Sequence, residues 1–246
     1  MKKLIPPVLF LTVFFAFIEM ISTAGIVPAY LLPPPSVLIK TLMESQADLA
    51  AAFFSSFYCA IIGFLLSAVL GLLLSVIFAS SDFLTLAFRP FIVFFQTVPI
   101  VAIAPLMVVW FGFGTPTTIA AALIVSFFPV LANTSAGFLS TNAQLLELFK
   151  IYKASKLQTL LFLKFPSCLP YYFAGLRVAA GLSVVGTIVG EFVGGGGLGA
   201  MIDASMTQQR ADLVFLCAIL SSMMGLLMIF LVNSCENLIN KWRPLQ

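Results

Sequence analysis

Between Asp48 and Asp82 the chain reads LAAAFFSSFYCAIIGFLLSAVLGLLLSVIFASS, without one charged side chain. A helix needs about 20 apolar residues to cross the hydrocarbon core of a bilayer, so this stretch suffices for one crossing with its flanks. Inside a bilayer only helices and closed barrels satisfy all of their backbone hydrogen bonds. The stretch therefore predicts a transmembrane helix, and it predicts an all-α membrane protein.

The composition of the whole chain also indicates a protein that lies in a lipid bilayer. Of its 246 residues 61% are hydrophobic and 9% are charged, which is more apolar surface than a water-soluble globule of this size can bury.

The absence of histidine excludes Ser-His-Asp and Cys-His nucleophile systems and His-ligated zinc. A net charge of +3 is too weak to predict nucleic-acid binding. The four cysteines show no C-x-x-C spacing, so they predict neither a disulfide framework nor a metal site.

Further charge-free runs predict six transmembrane helices in a single domain, residues 1–246. The turn-forming sequence GFGTP at 112–116 divides the longest run into two helices. The predicted spans are residues 4–26, 52–79, 90–111, 117–139, 171–193 and 213–235. The first of them also fits a cleaved secretory signal peptide with Ser22-Thr23-Ala24 as its cleavage site, and this alternative stays open.

The basic residues predict the orientation, because loops rich in Lys and Arg stay in the cytoplasm. An even number of spans puts both termini on one side. If that side is cytoplasmic, it holds most of the basic residues, namely Lys2, Lys3, Arg89, Lys150, Lys153, Lys156, Lys164, Lys241 and Arg243. The opposite side holds only Lys40 and Arg210. We therefore expect a multi-pass membrane protein with both termini in the cytoplasm.

The longest cytoplasmic segment, residues 140–170, carries an amphipathic helical pattern. Thr141 and Gln144 have the spacing of a capping box. The apolar residues that follow recur at i, i+3, i+4 and i+7: Leu145, Leu148, Phe149 and Tyr152. Pro166 and Pro170 predict that the helical run ends before the fifth span. Such a helix either lies on anionic headgroups or docks on a cytoplasmic partner protein.

This segment resembles the E-A-A-x3-G-x9-I-x-L-P motif in permease subunits of bacterial ABC importers that use a periplasmic binding protein. Glu147 takes the Glu position, Lys153 replaces the Gly, and Phe165-Pro166 stands for Leu-Pro. In that family the short helix docks in a cleft of the ATPase subunit. Losing the Gly predicts that the turn between two short helices is lost. The resemblance implies the following ATPase-coupling residues: Glu147, Phe149, Lys150, Lys153, Ala154, Ser155 and Pro166.

Longer stretches are similar to one branch of that family, the permeases for nitrate, sulfonates, taurine and thiamine-precursor pyrimidines. They are QTVPIVAIAPLMVVWFGFG at 96–114, FFPVLANT at 127–134 and AGLRVAAG at 174–181. The resemblance implies a MetI-like fold and a homodimer that pairs with a cytoplasmic ATP-binding subunit and receives its solute from a periplasmic substrate-binding protein. It also implies that the chain holds no cofactor, since ATP and Mg²⁺ bind to the partner ATPase. The chain itself contains no G-x-x-x-x-G-K-[ST] sequence.

A few polar residues within the predicted spans are candidates for the transport route. Glu19, Arg177 and Glu191 are ionisable groups that must face protein or water rather than lipid. Arg177 is expected to anchor its helix or to pair with a charge of the second subunit. The four glycines of 194–197 predict a flexible re-entrant turn at the outer mouth. We expect spans three to five to surround the route, with pathway or gate residues Gln96, Thr97 and Glu191.

The sequence thus predicts a non-catalytic transmembrane subunit of an ATP-driven ABC importer for a small solute. A pyrimidine or thiamine precursor, a sulfonate and nitrate are the candidate solutes. The alternative is a secondary transporter driven by an ion gradient, a class that often places carboxylates at mid-membrane, whereas Glu19 and Glu191 lie near the outer face. An intramembrane enzyme would need several acidic or nucleophilic groups at one depth, and none converge. A purely structural membrane protein would leave the similarity to the family unexplained.

Overall fold

The computed structural model describes residues 5–28 and 30–240, of which none lies in a strand. The described part of the chain is 86% helical, which confirms the predicted all-α class. The helices are α1 (Ile5–Thr23), α2 (Pro35–Glu44), α3 (Gln46–Ala79), α4 (Asp82–Gln96), α5 (Ile100–Phe111), α6 (Thr115–Leu139), α7 (Ala143–Ile151), α8 (Lys156–Thr159), α9 (Phe165–Gly194), α10 (Gly197–Thr207) and α11 (Ala211–Asn240). A π-helical turn, Leu160–Lys164, joins α8 to α9 without a break.

Four helices of the described chain are long and apolar enough to cross a bilayer. They are α3, α6, the continuous helix Lys156–Gly194, and α11. The helices α4 and α5 form a bent pair that is long enough for a fifth crossing, and the apolar helix Thr12–Thr23 within α1 is shorter. The count of six spans therefore remains a prediction.

The third predicted span differs from the expectation of one helix over 90–111. The structure has two helices that meet at an angle of 97° between Gln96 and Ile100. Pro99 lies in this gap with extended backbone angles and disfavours a helical conformation at Val98. Pro90 and Pro105, by contrast, lie inside α4 and α5. The position of a proline relative to its neighbours, and not its presence, decides where the helix breaks.

The centre of the bundle is the contact between α6 and α9, which approach each other through glycines. A Cβ atom at Gly186 would lie 2.7 Å from the Ala121 carbonyl oxygen, and one at Gly190 would lie 2.8 Å from Thr118 Cα. On α3, a Cβ at Gly63 would likewise crowd Ala122. Since lipid offers no hydrophobic driving force between helices, such close backbone packing supplies much of the association energy.

The helical run of the fifth span begins earlier than predicted, because Pro166 and Pro170 do not stop it. The helix Lys156–Gly194 contains 39 residues and is roughly 58 Å long at 1.5 Å per residue. The Phe165 N–H bonds to the Leu160 carbonyl, five residues back, so a wide turn directly precedes Pro166. Because proline has no N–H, a wide turn at this point accommodates the missing donor without ending the helix.

The two ends of the bundle are defined by contacts between distant helices. At one end, called the α7 end, Lys164 Nζ lies 3.4 Å from the carbonyl oxygen of Ala79, the last residue of α3. At the other, called the α10 end, the Gly114 N–H donates to the Gly194 carbonyl at 2.8 Å. The expected coupling segment and α10 are therefore at opposite ends of the transmembrane helices.

Candidate functional site

The helix α7 begins at an asparagine cap. Asn142 Oδ1 accepts from the Gln144 N–H at 2.8 Å. The predicted capping role of Thr141 is wrong, because the Thr141 hydroxyl donates to the Phe138 carbonyl at 3.0 Å and is buried against the preceding helix. The N-cap of α7 is Asn142, one residue after the predicted Thr141, and the predicted helix still forms.

The apolar stripe of α7 projects away from the rest of the chain. Leu145 and Leu148 are more than two-fifths exposed, Tyr152 is largely exposed, and Phe149 is half-buried. No residue of α7 is buried. The charged side chains of Glu147 and Lys150 lie on the same short helix and are exposed. The segment therefore presents an apolar ridge with charges beside it.

A left-handed turn ends α7, with Lys153 at its centre. Lys153 has φ of 52°, its N–H donates to the Lys150 carbonyl at 3.0 Å, and the Ala154 N–H donates to the Phe149 carbonyl at 2.9 Å. This pair of bonds is a Schellman motif, a helix end that usually carries glycine. The expectation that losing the motif Gly removes the turn is therefore wrong, because the lysine adopts the glycine conformation.

Directly after the turn, Ser155 starts the next helix. Its hydroxyl accepts from the Gln158 N–H at 3.1 Å, and Gln158 Oε1 accepts from the Ser155 N–H at 2.8 Å. These reciprocal bonds are a capping box. Two short helices separated by a capped turn thus hold the predicted coupling residues from Glu147 to Ser155 in one stretch, while Pro166 lies further on, in the first turn of α9.

The second candidate feature is a cavity of about 450 Å³ between the α4–α5 bend, α6 and α9. Two amide side chains line it: Gln96, whose Nε2 lies 3.3 Å from the Phe128 carbonyl, and Asn133, which donates to the Pro129 carbonyl at 2.8 Å. The rings of Phe95 and Phe128 stack with their centroids 5.5 Å apart. The remaining lining residues are Val98, Ile100, Ile103, Ile124, Val125, Pro129, Val178 and Leu182, so no charged side chain of the described residues lines the cavity.

The structure does not bring the three predicted pathway residues together. Gln96 lines this cavity, and Thr97 lies at the bend with its hydroxyl bonded to the Phe94 carbonyl at 2.7 Å. Glu191 lies at the α10 end, beside a separate cavity of about 370 Å³. It is 1% exposed and accepts from the Ser56 hydroxyl and the Gly199 N–H.

The other ionisable groups of the spans have partners that the sequence did not reveal. Arg177, expected either to anchor its helix or to pair with a charge of the second subunit, pairs with Glu236 of α11 in the same chain. Glu19 accepts from the N–H and the hydroxyl of Ser36 at 3.0 and 2.7 Å and thereby caps α2 from a neighbouring helix. A separation of 59 positions between Arg177 and Glu236 left no local pattern to read.

An ion pair links the loop after α10 with α11 at the α10 end. Arg210 donates to Asp212 Oδ2 at 2.7 Å, and the Thr41 hydroxyl of α2 donates to the same oxygen at 2.8 Å. The hydrogen bond to Asp212 raises the pKa of the Arg210 guanidinium above its ordinary value. Sequence reasoning identified Arg210 only as one of the few basic residues on its side.

Comparison with known proteins gives long matches. The family described as "Binding-protein-dependent transport system inner membrane component" matches residues 67–242. The formylaminopyrimidine transport permease protein ThiX of Halalkalibacterium halodurans is 35% identical over 240 residues, 96% of each chain. The putative aliphatic sulfonates transport permease protein SsuC of Bacillus subtilis is 30% identical over 99% of this chain and 88% of that protein.

Solved structures show the same fold. A chain of the MetNI methionine ABC transporter in an inward-facing conformation superposes with a TM-score of 0.63, over 76% of this chain and 95% of that one. The identity between the two chains is 15%, so this likeness concerns the fold alone.

Proposed function

The chain belongs to the family of binding-protein-dependent transport system inner membrane components, and from this premise we propose how its parts serve transport. The predicted resemblance and the MetI-like fold are confirmed: the chain is the membrane-spanning permease subunit of an ATP-driven ABC importer. It is not an enzyme and holds no cofactor, because the partner ATPase hydrolyses ATP. A substrate-binding protein is its other partner, and the ion-driven alternative is not favoured.

We propose that α7 is the coupling helix that docks on the ATPase. The observation that carries this proposal is the exposed apolar ridge of Leu145, Leu148 and Tyr152 on a helix closed at both ends by caps. A push on this ridge reaches the transmembrane region without a flexible linker, because α8 continues into α9 as one helix. The predicted coupling residues Glu147, Phe149, Lys150, Lys153, Ala154 and Ser155 would line or shape the contact, and Pro166 would support it from the base of α9.

We propose that the α7 end faces the cytoplasm of a bacterial inner membrane, with both termini on that side. Lys150, Lys153, Lys156 and Lys164 lie at or near the α7 end, whereas Lys40 and Arg210 belong to the segments at the α10 end. Basic loops are retained in the cytoplasm, so this distribution supports the orientation. Lys2, Lys3, Lys241 and Arg243, which also support it in the sequence, lie outside the described residues.

We propose that the cavity beside the α4–α5 bend belongs to the solute route and accepts a small neutral heterocycle such as a formylaminopyrimidine. Its lining offers the amides of Gln96 and Asn133 and aromatic faces, but no cation among the residues that the structure describes. Nitrate or a sulfonate would lose its hydration there without gaining a paired charge, which costs several kcal/mol. The relative named for formylaminopyrimidine transport, 35% identical over almost the whole chain, supports this choice. Thr97 would position Gln96 at the bend.

We further propose that two copies of the chain form the permease, as the family resemblance implies. Cross-linking of the complex in native membranes would test this stoichiometry, and a complex that contained a single copy would contradict it.

Uptake by the reconstituted complex tests the proposed function. Proteoliposomes would contain this chain and its partner ATPase, with the binding protein outside, and would be offered labelled formylaminopyrimidine, an aliphatic sulfonate or nitrate. We expect ATP-dependent accumulation of the pyrimidine alone. Uptake by this chain without the ATPase would reject the ATP-driven mechanism, and preferred uptake of either anion would reject the proposed solute class.

A further inference from the structure

The carboxylate of Glu191 joins three helices at the α10 end. Glu191 belongs to α9, and its Oε2 accepts from the Ser56 hydroxyl of α3 at 2.8 Å and from the Gly199 N–H of α10 at 2.9 Å. The Ser56 oxygen in turn accepts from the Leu198 N–H at 2.8 Å. The first N–H groups of α10 are therefore held by a side chain pair from two transmembrane helices.

The backbone at the start of α10 is fitted closely around this carboxylate. Gly195, Gly196 and Gly197 have φ of 83°, 92° and 59°. A Cβ atom at Gly197 would overlap both the Glu191 carboxylate and the Ser56 hydroxyl. The glycines of 194–197, which the sequence marked as a re-entrant turn, thus let the helix end reach a buried acid.

The two oxygens of the Glu191 carboxylate differ in their hydrogen bonding. The N-terminus of a helix attracts negative charge, which offsets part of the cost of burying Glu191. Within residues 5–28 and 30–240, however, Oε1 has no hydrogen-bond partner although Glu191 is 1% exposed. A buried acceptor without a donor keeps its desolvation cost, so the unpaired oxygen lowers the net stability of this arrangement.

We propose that Glu191 is a positioning residue of the transport cycle, whose carboxylate fastens the start of α10 to α3 and α9 while the α10 end is closed. Release of the Ser56 and Gly199 bonds lets α10 move away when that end opens. This proposal rests on the proposed function, because a permease of an importer must open and close its two ends alternately. It narrows the sequence expectation of a pathway or gate residue to a gate role, since Glu191 acts on a helix and needs no contact with the solute.

The chain contains its own reporter for this movement. Cys59 lines the cavity beside Glu191 and is 3% exposed in the structure. Because Cys59 is almost fully buried, we expect a thiol reagent in water to reach it when the α10 end opens. Replacing the other cysteines by Cys168→Ser, Cys217→Ala and Cys235→Ser leaves Cys59 as the single reactive thiol.

The experiment compares the rate of Cys59 labelling by a membrane-impermeant maleimide in the complete reconstituted complex. In the single-cysteine parent we expect slow labelling without nucleotide and faster labelling in the ATP-bound state. Glu191→Gln, which weakens both bonds by removing the charge, and Ser56→Ala, which removes one bond, should each raise the rate without nucleotide by roughly tenfold. Basal ATP hydrolysis without binding protein should rise in the same variants.

Thr187→Val is the matched control, because Thr187 lies one turn from Glu191 on α9, is buried, and has a hydroxyl without a partner in the described part of the chain. We expect its labelling rate to equal that of the parent. Unchanged labelling in both Glu191→Gln and Ser56→Ala would overturn the proposal, and so would an equal rise in Thr187→Val. Uptake by the parent complex is measured separately, so a failure of the proposed function is distinguishable from a failure of this one.

Discussion

The Ala154 N–H donates to the Phe149 carbonyl oxygen at 2.9 Å and closes a left-handed turn around a lysine. In the family motif this position is a glycine, and Lys153 retains the turn because two backbone hydrogen bonds and the following capping box hold it. A non-glycine residue pays roughly 1 kcal/mol for such a backbone conformation. The turn of the proposed coupling segment is therefore present although lysine replaces the glycine of the motif.

Substituting glycine at the strained position should stabilise the chain. We expect Lys153→Gly to raise the free energy of unfolding by about 1 kcal/mol, because glycine adopts positive φ without steric cost. Thermal unfolding of the purified complex would measure the change. Lys156→Gly is the matched control, since it also removes a lysine but lies in the first turn of α8, where glycine brings no relief. A Lys153→Gly variant less stable than the parent would contradict the assignment of strain.

Charge reversal on the coupling helix should weaken the association with the ATPase. We expect Lys150→Glu with Lys153→Glu to reduce copurification of the ATPase subunit, because two cations beside the apolar ridge become anions. The control is Lys40→Glu at the α10 end, where Lys40 is exposed and forms only a surface ion pair with Glu44. Undiminished copurification in the double variant, or equal loss in the control, would place the docking surface elsewhere.

Removal of an amide from the proposed solute cavity should lower uptake. We expect Gln96→Leu to reduce uptake of the pyrimidine by roughly tenfold, the effect of one lost hydrogen bond in a low-dielectric site. Gln208→Leu makes the same change at an exposed position after α10 and should leave uptake unaltered. Normal uptake in Gln96→Leu, measured at equal amounts of assembled complex, would exclude this cavity from the route.

The pair between Arg177 and Glu236 should stabilise the fold of one chain rather than the contact between copies. Each half-buried partner left alone, in Arg177→Gln or Glu236→Gln, should cost roughly 1–2 kcal/mol, and the double variant should cost less than the sum. Thermal unfolding of the four proteins forms the cycle. Additive losses of stability would contradict the pairing. Selective dissociation of the two copies in Arg177→Gln would instead support a pair between Arg177 and a charge of the second subunit.

Local patterns predicted the helices but not every boundary. The capping spacing at Thr141 identified the right turn and the wrong residue, because the Thr141 hydroxyl bonds to the preceding helix and leaves the cap to Asn142. Pro166 predicts an end to the helical run, yet a π-helical turn accommodates its missing donor. Both outcomes depend on which of several possible hydrogen bonds forms within a few residues. Amino-acid composition alone does not show which of these bonds is more stable.

The sequence by itself determined that this chain inserts into a membrane as helices and to which family it belongs. Membrane insertion follows from the length of the charge-free runs, since the free-energy cost of placing each side chain in lipid depends little on the rest of the fold. The family follows from the order of the motifs along the chain. Only the tertiary structure decided that Glu191 meets Ser56 across 135 positions and that Arg177 meets Glu236. A buried charge takes whichever partner helix packing brings within about 3 Å, and packing is a property of the whole chain.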